Sequence, residues 1–416
     1  MNLIRVMPAQ GWLERTPPER IEKVPAQEKK TYDAIVIGAG VIGLACAWRT
    51  AERGLSVCVV ERDRVGAGAT GVAAGMLAPV GEATWGEEAL LGLALASARD
   101  WPDFAADLER DSGAESSYAA IGALHVALDR DEAAELRRRH ELHLSLGLGS
   151  EWLQASKCRE LEPGLAPSCA GGLLASEEAA VDPRVLLRAL TVALRERGGE
   201  LIEGREVTGL ESTGGAVSGV RLAGGESLDA AAVVVAAGAW SRAEWLPEEM
   251  RPQVRPVKGE IVALRGSGAP VCERIVAGER FYAVPRADGR LVVGATVEER
   301  GFDTTVTAGG VHELLRESYR ALPDVAELEL IETSAGLRPG SPDNAPLIGA
   351  AGDGLLLATG HYRNGVLLAP ATAEAIAALV AGGEPAVDLA PFAPSRFAEP
   401  AKTPSRPRTR SGAGGV

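Results

Sequence analysis

"YDAIVIGAGVIGLACAWRTAERGLSVCVVER", residues 32–62, decides the fold. A short apolar run leads into Gly38-Ala39-Gly40-Val41-Ile42-Gly43, then an amphipathic stretch stopped by Gly54, then a second apolar run ending at Glu61. The pattern predicts strand, glycine turn, helix and strand, a βαβ unit of about 30 residues. G-x-G-x-x-G alone is a weak signal, but here it follows a strand, opens a helix and has an acid 23 residues after Gly38. Gly38 would make the turn, Gly40 would let the backbone approach a pyrophosphate, and Gly43 would let the helix pack on the strand. The helix N-terminus would face the phosphates and Glu61 would bind a ribose hydroxyl. An acid at that place favours an unphosphorylated ribose, as in FAD or NAD.

Working outward, "GAGATGVAAGMLAP" (66–79) is a run of small residues before an apolar stretch containing Met76. A flavin dinucleotide needs such a path, because its diphosphate and ribityl chain lie against backbone. A second strand–helix–strand region runs from Asp182 to Trp240, with Asp182 as helix cap, Pro183 in the first turn and Gly198-Gly199 as terminator. "LLLATGHYRNGVLLAP" (355–370) supplies one more strand and helix. The intervening segments 115–176 and 252–329 alternate apolar and polar residues, which predicts antiparallel strands with one wet face.

The fold class expected is therefore α/β and α+β, a dinucleotide-binding domain (31–112, 177–250 and 330–385) interleaved with an antiparallel-sheet substrate domain (113–176 and 251–329). Residues 1–30 read as a disordered extension and 400–416 as a disordered basic tail. The 416-residue chain carries 43 basic and 57 acidic residues, a formal charge of −14. Such a surface repels nucleic acid and anionic membranes, so neither is an expected partner. No signal peptide or membrane-spanning run is evident, and the five scattered cysteines read as reduced, buried thiols of a cytoplasmic protein. His125, His140 and His143 lack metal-ligand spacing; no metal is expected, and the last two read as solvated on a charged helix.

The motifs "YDAIVIGAGVIGLACAW", "ATGVAAGMLAP", "VDPRVLLRAL", "VVVAAGAWS", "RPVKGE", "YAVPRADGRLVVGAT", "GLRPGSPDNAPLIG" and "GHYRNGVLLAPATA" cover residues 32–380. Together they resemble the flavin-dependent amine and D-amino-acid oxidase family, especially its glycine-oxidising members of thiamine biosynthesis. The resemblance implies a glutathione-reductase-like FAD-binding domain, with substrate held over the flavin beneath an antiparallel sheet. It implies FAD contacts at Val41 and Ile42, at Glu61 and Arg62 near the ribose, and at Val207 near the adenine. Ala69, Thr70, Ala74, Gly75 and Met76 would line the flavin path, and His361, Tyr362, Arg363, Asn364, Gly365, Val366 and Leu367 would wrap the flavin's pyrimidine edge. With no cysteine in "GLRPGSPDNAPLIG", noncovalent FAD is expected.

For substrate, the resemblance points to Arg338, Tyr282 and Arg363. A guanidinium fork bonds both oxygens of a carboxylate, and the Gly/Pro composition around Arg338 predicts a loop from which it turns inward. The flavin carries the redox chemistry, so no catalytic acid or base is expected. The activity implied is oxidation of glycine or another small amine, with dioxygen, to an imine or 2-oxo acid, ammonia and peroxide, by a homo-oligomer, a tetramer by resemblance. A D-amino-acid dehydrogenase with another electron acceptor, and a non-catalytic FAD-binding subunit, remain open alternatives. Val297 follows "GAT" where relatives can carry methionine, which leaves pocket width open.

Overall fold

The computed structural model describes residues 30–397. The two expected terminal extensions therefore lie outside the described residues, save Lys30.

The βαβ unit forms as read: strand Thr31–Ile37, helix Val41–Glu52 and strand Val57–Val60. Ile35 pairs in parallel with Cys58 on one side and Val233 on the other. These strands sit at the centre of an eight-stranded sheet whose other members include Glu200–Ile202, Ser227–Val235, Leu355–Thr359 and, antiparallel at one edge, Leu347–Gly352. Alternation decides its two faces. Ala34, Val36, Val57, Val59 and Val234 pack under helices Val41–Glu52, Glu88–Ser112, Pro183–Glu196 and Ala369–Val380. Ile35, Ile37, Cys58, Val60, Val233 and Val235 face the meander Val207–Thr213 and Ala216–Leu222. Asp182 caps Pro183–Glu196 as expected, accepting from the Arg184 amide at 2.9 Å. All five cysteines are buried.

The second sheet also has eight strands, in the order Glu329–Gly340, Arg255–Arg265, Arg290–Gly294, Tyr282–Pro285, Ile275–Ala277, Ala123–Ala127, Gly171–Ala175 and Glu151–Gln154. All pairings are antiparallel except that of Ile275–Ala277 with Ala123–Ala127. Three expectations need correction. Glu329–Gly340 pairs along its length with Arg255–Arg265, so residues from 330 to 340 belong to this sheet rather than to the dinucleotide-binding part. Arg338 accordingly stands on an edge strand, not in a loop; Pro339 is tolerated there because an edge need not donate on both sides. The inner strands also lack the wet face expected of them: Ala123–Ala127 is buried throughout and Arg255–Arg265 nearly so, while exposed residues fall on the edge strands Glu329–Gly340 and Glu151–Gln154. Helix Ala308–Ala321 packs behind it, and the front faces a cavity shared with the first sheet.

Candidate cofactor and substrate site

Gly38 has φ +108°, and a side chain there would strike the Ala236 carbonyl; a Cβ on Gly43 would lie 1.9 Å from the Gly38 oxygen. The turn therefore has the tightness the motif requires. Helix Val41–Glu52 starts at Gly40, which has no side chain to cap it, so the amides of Ile42 and Gly43 have no acceptor among the described residues and are left to an anion. Glu61 closes the second strand and accepts from the Ala39 amide at 2.8 Å and the Asp63 amide at 3.0 Å, which locks the turn to the strand end. Thr70 approaches from the next segment, accepting from the Val41 amide at 3.2 Å.

From this turn runs a cavity of about 1520 Å³ that reaches Tyr282 and Arg338. Ligand pockets usually measure about 300–1,000 Å³, so this one has room for a dinucleotide and a small substrate together. Its wall includes Gly38, Gly40, Val41, Ile42, Glu61, Arg62, Ala69, Thr70, Ala74, Gly75, Met76, Val207, Tyr282, Arg338 and His361 to Val366. Two expected contacts do not line it. Gly43 is buried against the strand, and Leu367 is buried with its carbonyl accepting from Ser97 and Trp101. Arg62 lies over the Trp240 ring at 4.3 Å, beside the strand end carrying Glu61.

The segment 69–76 is clamped by Arg184 from helix Pro183–Glu196 and by Arg286 from just past strand Tyr282–Pro285. Arg184 donates to the Gly71 carbonyl at 2.8 Å and forks onto Glu332 at 2.6 and 2.8 Å. Arg286 donates to the Val181 carbonyl at 2.9 Å and also to that of Ala74; burial lowers its pKa to about 10. Opposite lies the turn 360–366. Its His361 ring does not reach the cavity's chemistry: it is buried, bonded to Thr372 Oγ1 at 3.0 Å, and held neutral by burial with a pKa near 3. Tyr362 adopts φ +47°, unusual for a non-glycine, while its amide donates to the Pro339 carbonyl at 3.0 Å. Asn364 N–H is likewise used, by His361. Among the described residues, the amides of Arg363, Gly365 and Val366 have no acceptor in the protein, and these are the donors the turn offers to a ligand.

At the substrate end, Arg338 crosses the face of the second sheet above Gly259, where a Cβ would lie 2.3 Å from its guanidinium. It donates to the Thr296 carbonyl at 3.1 Å and more weakly towards that of Lys258 at 3.4 Å, and no described acid pairs with it. Its charge is thus aimed but not neutralised. The Tyr282 ring lies over Gly294 on the adjacent strand. Burial raises the Tyr282 phenol, while the neighbouring Arg338 pulls it down. Arg363 sits 3.9 Å from Glu82, half-exposed. Behind the sheet, Lys258 and Glu260 are fully buried and paired at 2.7 Å; Glu260 also accepts from the Thr307 amide and hydroxyl at the start of helix Ala308–Ala321. Val297 is half-exposed at the cavity wall.

Several site residues escaped the sequence. His143 is buried, not solvated, because it turns inward beside Leu142. His125 accepts from Arg139 at 2.8 Å, and both line the cavity. Glu82 also lines it, and it is the sole charged residue in 66–84, a signal that was legible. Glu178, buried below Gly81, accepts that residue's amide at 2.5 Å, and burial pushes its carboxyl up to about 8. A folded-state pKa above the unfolded value of about 4.3 means that the native state binds the extra proton. Stability from this group therefore declines as pH rises from about 4.3 to about 8. Glu178→Gln should remove that decline; melting curves of variant and wild type that stay parallel from pH 5 to 8 would contradict it.

Fold and site together define a dinucleotide-dependent oxidoreductase whose second sheet roofs the reactive end of the cofactor. The chain belongs to the FAD dependent oxidoreductase family, whose profile matches residues 33–379. It is 34% identical to a glycine oxidase of Geobacillus kaustophilus, over 88% of this chain and 97% of that one. It is 36% identical to a bifunctional protein ThiO/ThiG of Trichormus variabilis, over 90% of this chain but 56% of that longer protein. The crystal structure of the Geobacillus kaustophilus glycine oxidase superposes with a TM-score of 0.83 at 34% identity, covering 88% of this chain and 99% of that one. The cofactor is FAD. The glycine turn, the free amides of Ile42 and Gly43 at the helix start and the unpaired amides of Arg363, Gly365 and Val366 among the described residues fit it. No helix among the described residues is long and apolar enough to cross a membrane.

Proposed function

We propose that the protein oxidises glycine, and other small amines or D-amino acids, to the imine and thence the 2-oxo acid and ammonia, with hydrogen peroxide formed from dioxygen. The observation that carries this reading is Arg338: a guanidinium fixed by backbone carbonyls, without an acidic partner among the described residues, inside the cavity that the glycine turn opens. A half-buried, preorganised fork of this kind selects a carboxylate. Likeness to glycine oxidases and to ThiO/ThiG proteins supports the substrate, and favours the thiamine-precursor role that the motifs imply.

In this reading Arg338 binds the carboxylate and Tyr282 supplies a hydroxyl beside it, which together would fix the orientation of the α-carbon. The chemistry FAD supplies when bound is two-electron oxidation of the C–N bond. Glu61 and the amides at the start of Val41–Glu52 would hold its ribose and pyrophosphate. The amides of Arg363, Gly365 and Val366 would stabilise negative charge at the pyrimidine edge. No side chain needs to take a proton from carbon. Glu61→Ala should weaken FAD retention about tenfold or more, since hydrogen bonds to a charged group contribute about 1.5–3 kcal/mol. Equilibrium dialysis measures this, and a fully loaded variant would refute the ribose assignment.

The test of function is anaerobic titration with glycine, followed at the flavin absorbance band, then admission of air. Bleaching with rapid recovery and peroxide is expected. Bleaching with slow recovery in air would identify a dehydrogenase using another acceptor, and a band that no small amine bleaches would leave a binding protein.

A further inference from the structure

Glu82 has no place in carboxylate binding or cofactor binding, yet it is built into the cavity with care. The residue before it, Gly81, is pinned from two sides. Its amide donates to buried Glu178 at 2.5 Å, and a Cβ on it would lie 2.4 Å from His125 Nε2. His125 is itself buried and held by Arg139. The Glu82 amide closes the turn onto the Ala78 carbonyl at 3.1 Å. The backbone that presents Glu82 is therefore fixed, while its side chain is about a third exposed to the cavity.

The charges around it are unequal. Arg338, Arg363 and Arg139 line the same region as cations, and Glu82 is the carboxylate that acts with Arg338 and Arg363 on the Tyr282 hydroxyl. Its approach to Arg363 is loose, 3.9 Å with no hydrogen bond, so an oxygen remains free to accept. A pocket of arginines alone would bind any small carboxylate, amine or not. An amino acid carries a cation one carbon from its carboxylate, and Glu82 supplies the matching anion. Taken with the amino-acid reading above, on which this rests, we propose that Glu82 receives the substrate's ammonium group and is the residue that distinguishes amino acids from plain carboxylic acids.

The test compares two ligands of the FAD-loaded enzyme: glycine, by its KM, and acetate, by its inhibition constant and by perturbation of the flavin band, which needs no turnover. In Glu82→Gln the glycine KM should rise about tenfold or more, the size of one charge-assisted hydrogen bond. Acetate should bind as in wild type or tighter, since a repelling anion is gone. Glu82→Asp should recover part of the glycine affinity. If glycine and acetate weaken together, Glu82 merely holds Arg363 and the assignment is wrong; if neither moves, it is also wrong. Melting temperature and FAD content identify a variant damaged in folding, in which case Glu82→Asp alone decides by the same ratio. Failure of the parent reading would show in the wild type, as a flavin band that glycine leaves unbleached.

Discussion

Replacing Arg338 with alanine should lower kcat/KM for glycine by about 10²- to 10³-fold, the equivalent of two hydrogen bonds from a charged donor. FAD content and melting temperature should stay near wild type, because the guanidinium's hydrogen bonds to the Thr296 and Lys258 carbonyls tie it to the sheet without closing an ion pair among the described residues. Lysine should not restore the loss, since a point charge cannot fork onto two oxygens. Gly259→Ala offers an independent check. Its Cβ would occupy the place of the guanidinium, which can swing away on its flexible stem. The fold should survive while glycine affinity falls. Steady-state kinetics with a flavin-content assay reads all three variants, and an unchanged KM in Arg338→Ala would remove the arginine from substrate binding.

The second large effect is on stability. Lys258→Met should destabilise the protein by about 3 kcal/mol, because it strands Glu260 as a buried anion without its cation. Glu260 would keep the Thr307 amide and hydroxyl, and Glu298, 3.6 Å from the Lys258 ammonium, would keep Arg300 at 2.7 Å. Adding Glu260→Gln should recover part of the loss, as removing both charges is less costly than removing one. Denaturant titration of the two variants measures this. A single variant as stable as wild type would mean that water reaches Glu260.

Much of this was legible in the sequence, and the reasons differ by residue. The turn at Gly38–Gly43 was readable because steric demands on glycine are local, and the helix start at Asp182 because capping is local too. Arg338 was readable as a residue but not as a position. Gly336, Pro339 and Gly340 make its surroundings look like a loop, whereas Gly336 is small because Val72 packs 3.1 Å from where its Cβ would be. The burial of Lys258 and Glu260 could not be read at all. A charged pair flanking a glycine in a strand looks solvated until helix Ala308–Ala321 is known to start above it. His125, Arg139 and Glu178 escaped for the same reason, coming together from a strand, a helix and a turn distant in the chain.

The order in which the chain visits its two sheets bears on how the protein is made. Strand Ser227–Val235 waits for its parallel neighbour Leu355–Thr359, which follows about 120 residues later. At synthesis rates of roughly 5–20 residues per second, that edge stays open for on the order of 6 to 24 s. The turn 360–366 that completes the cavity leaves the ribosome later still. Cofactor capture must therefore follow synthesis of residue 366. A nascent chain stalled before residue 355 would present an unpaired apolar edge at Val233–Val235 to chaperones and neighbouring chains.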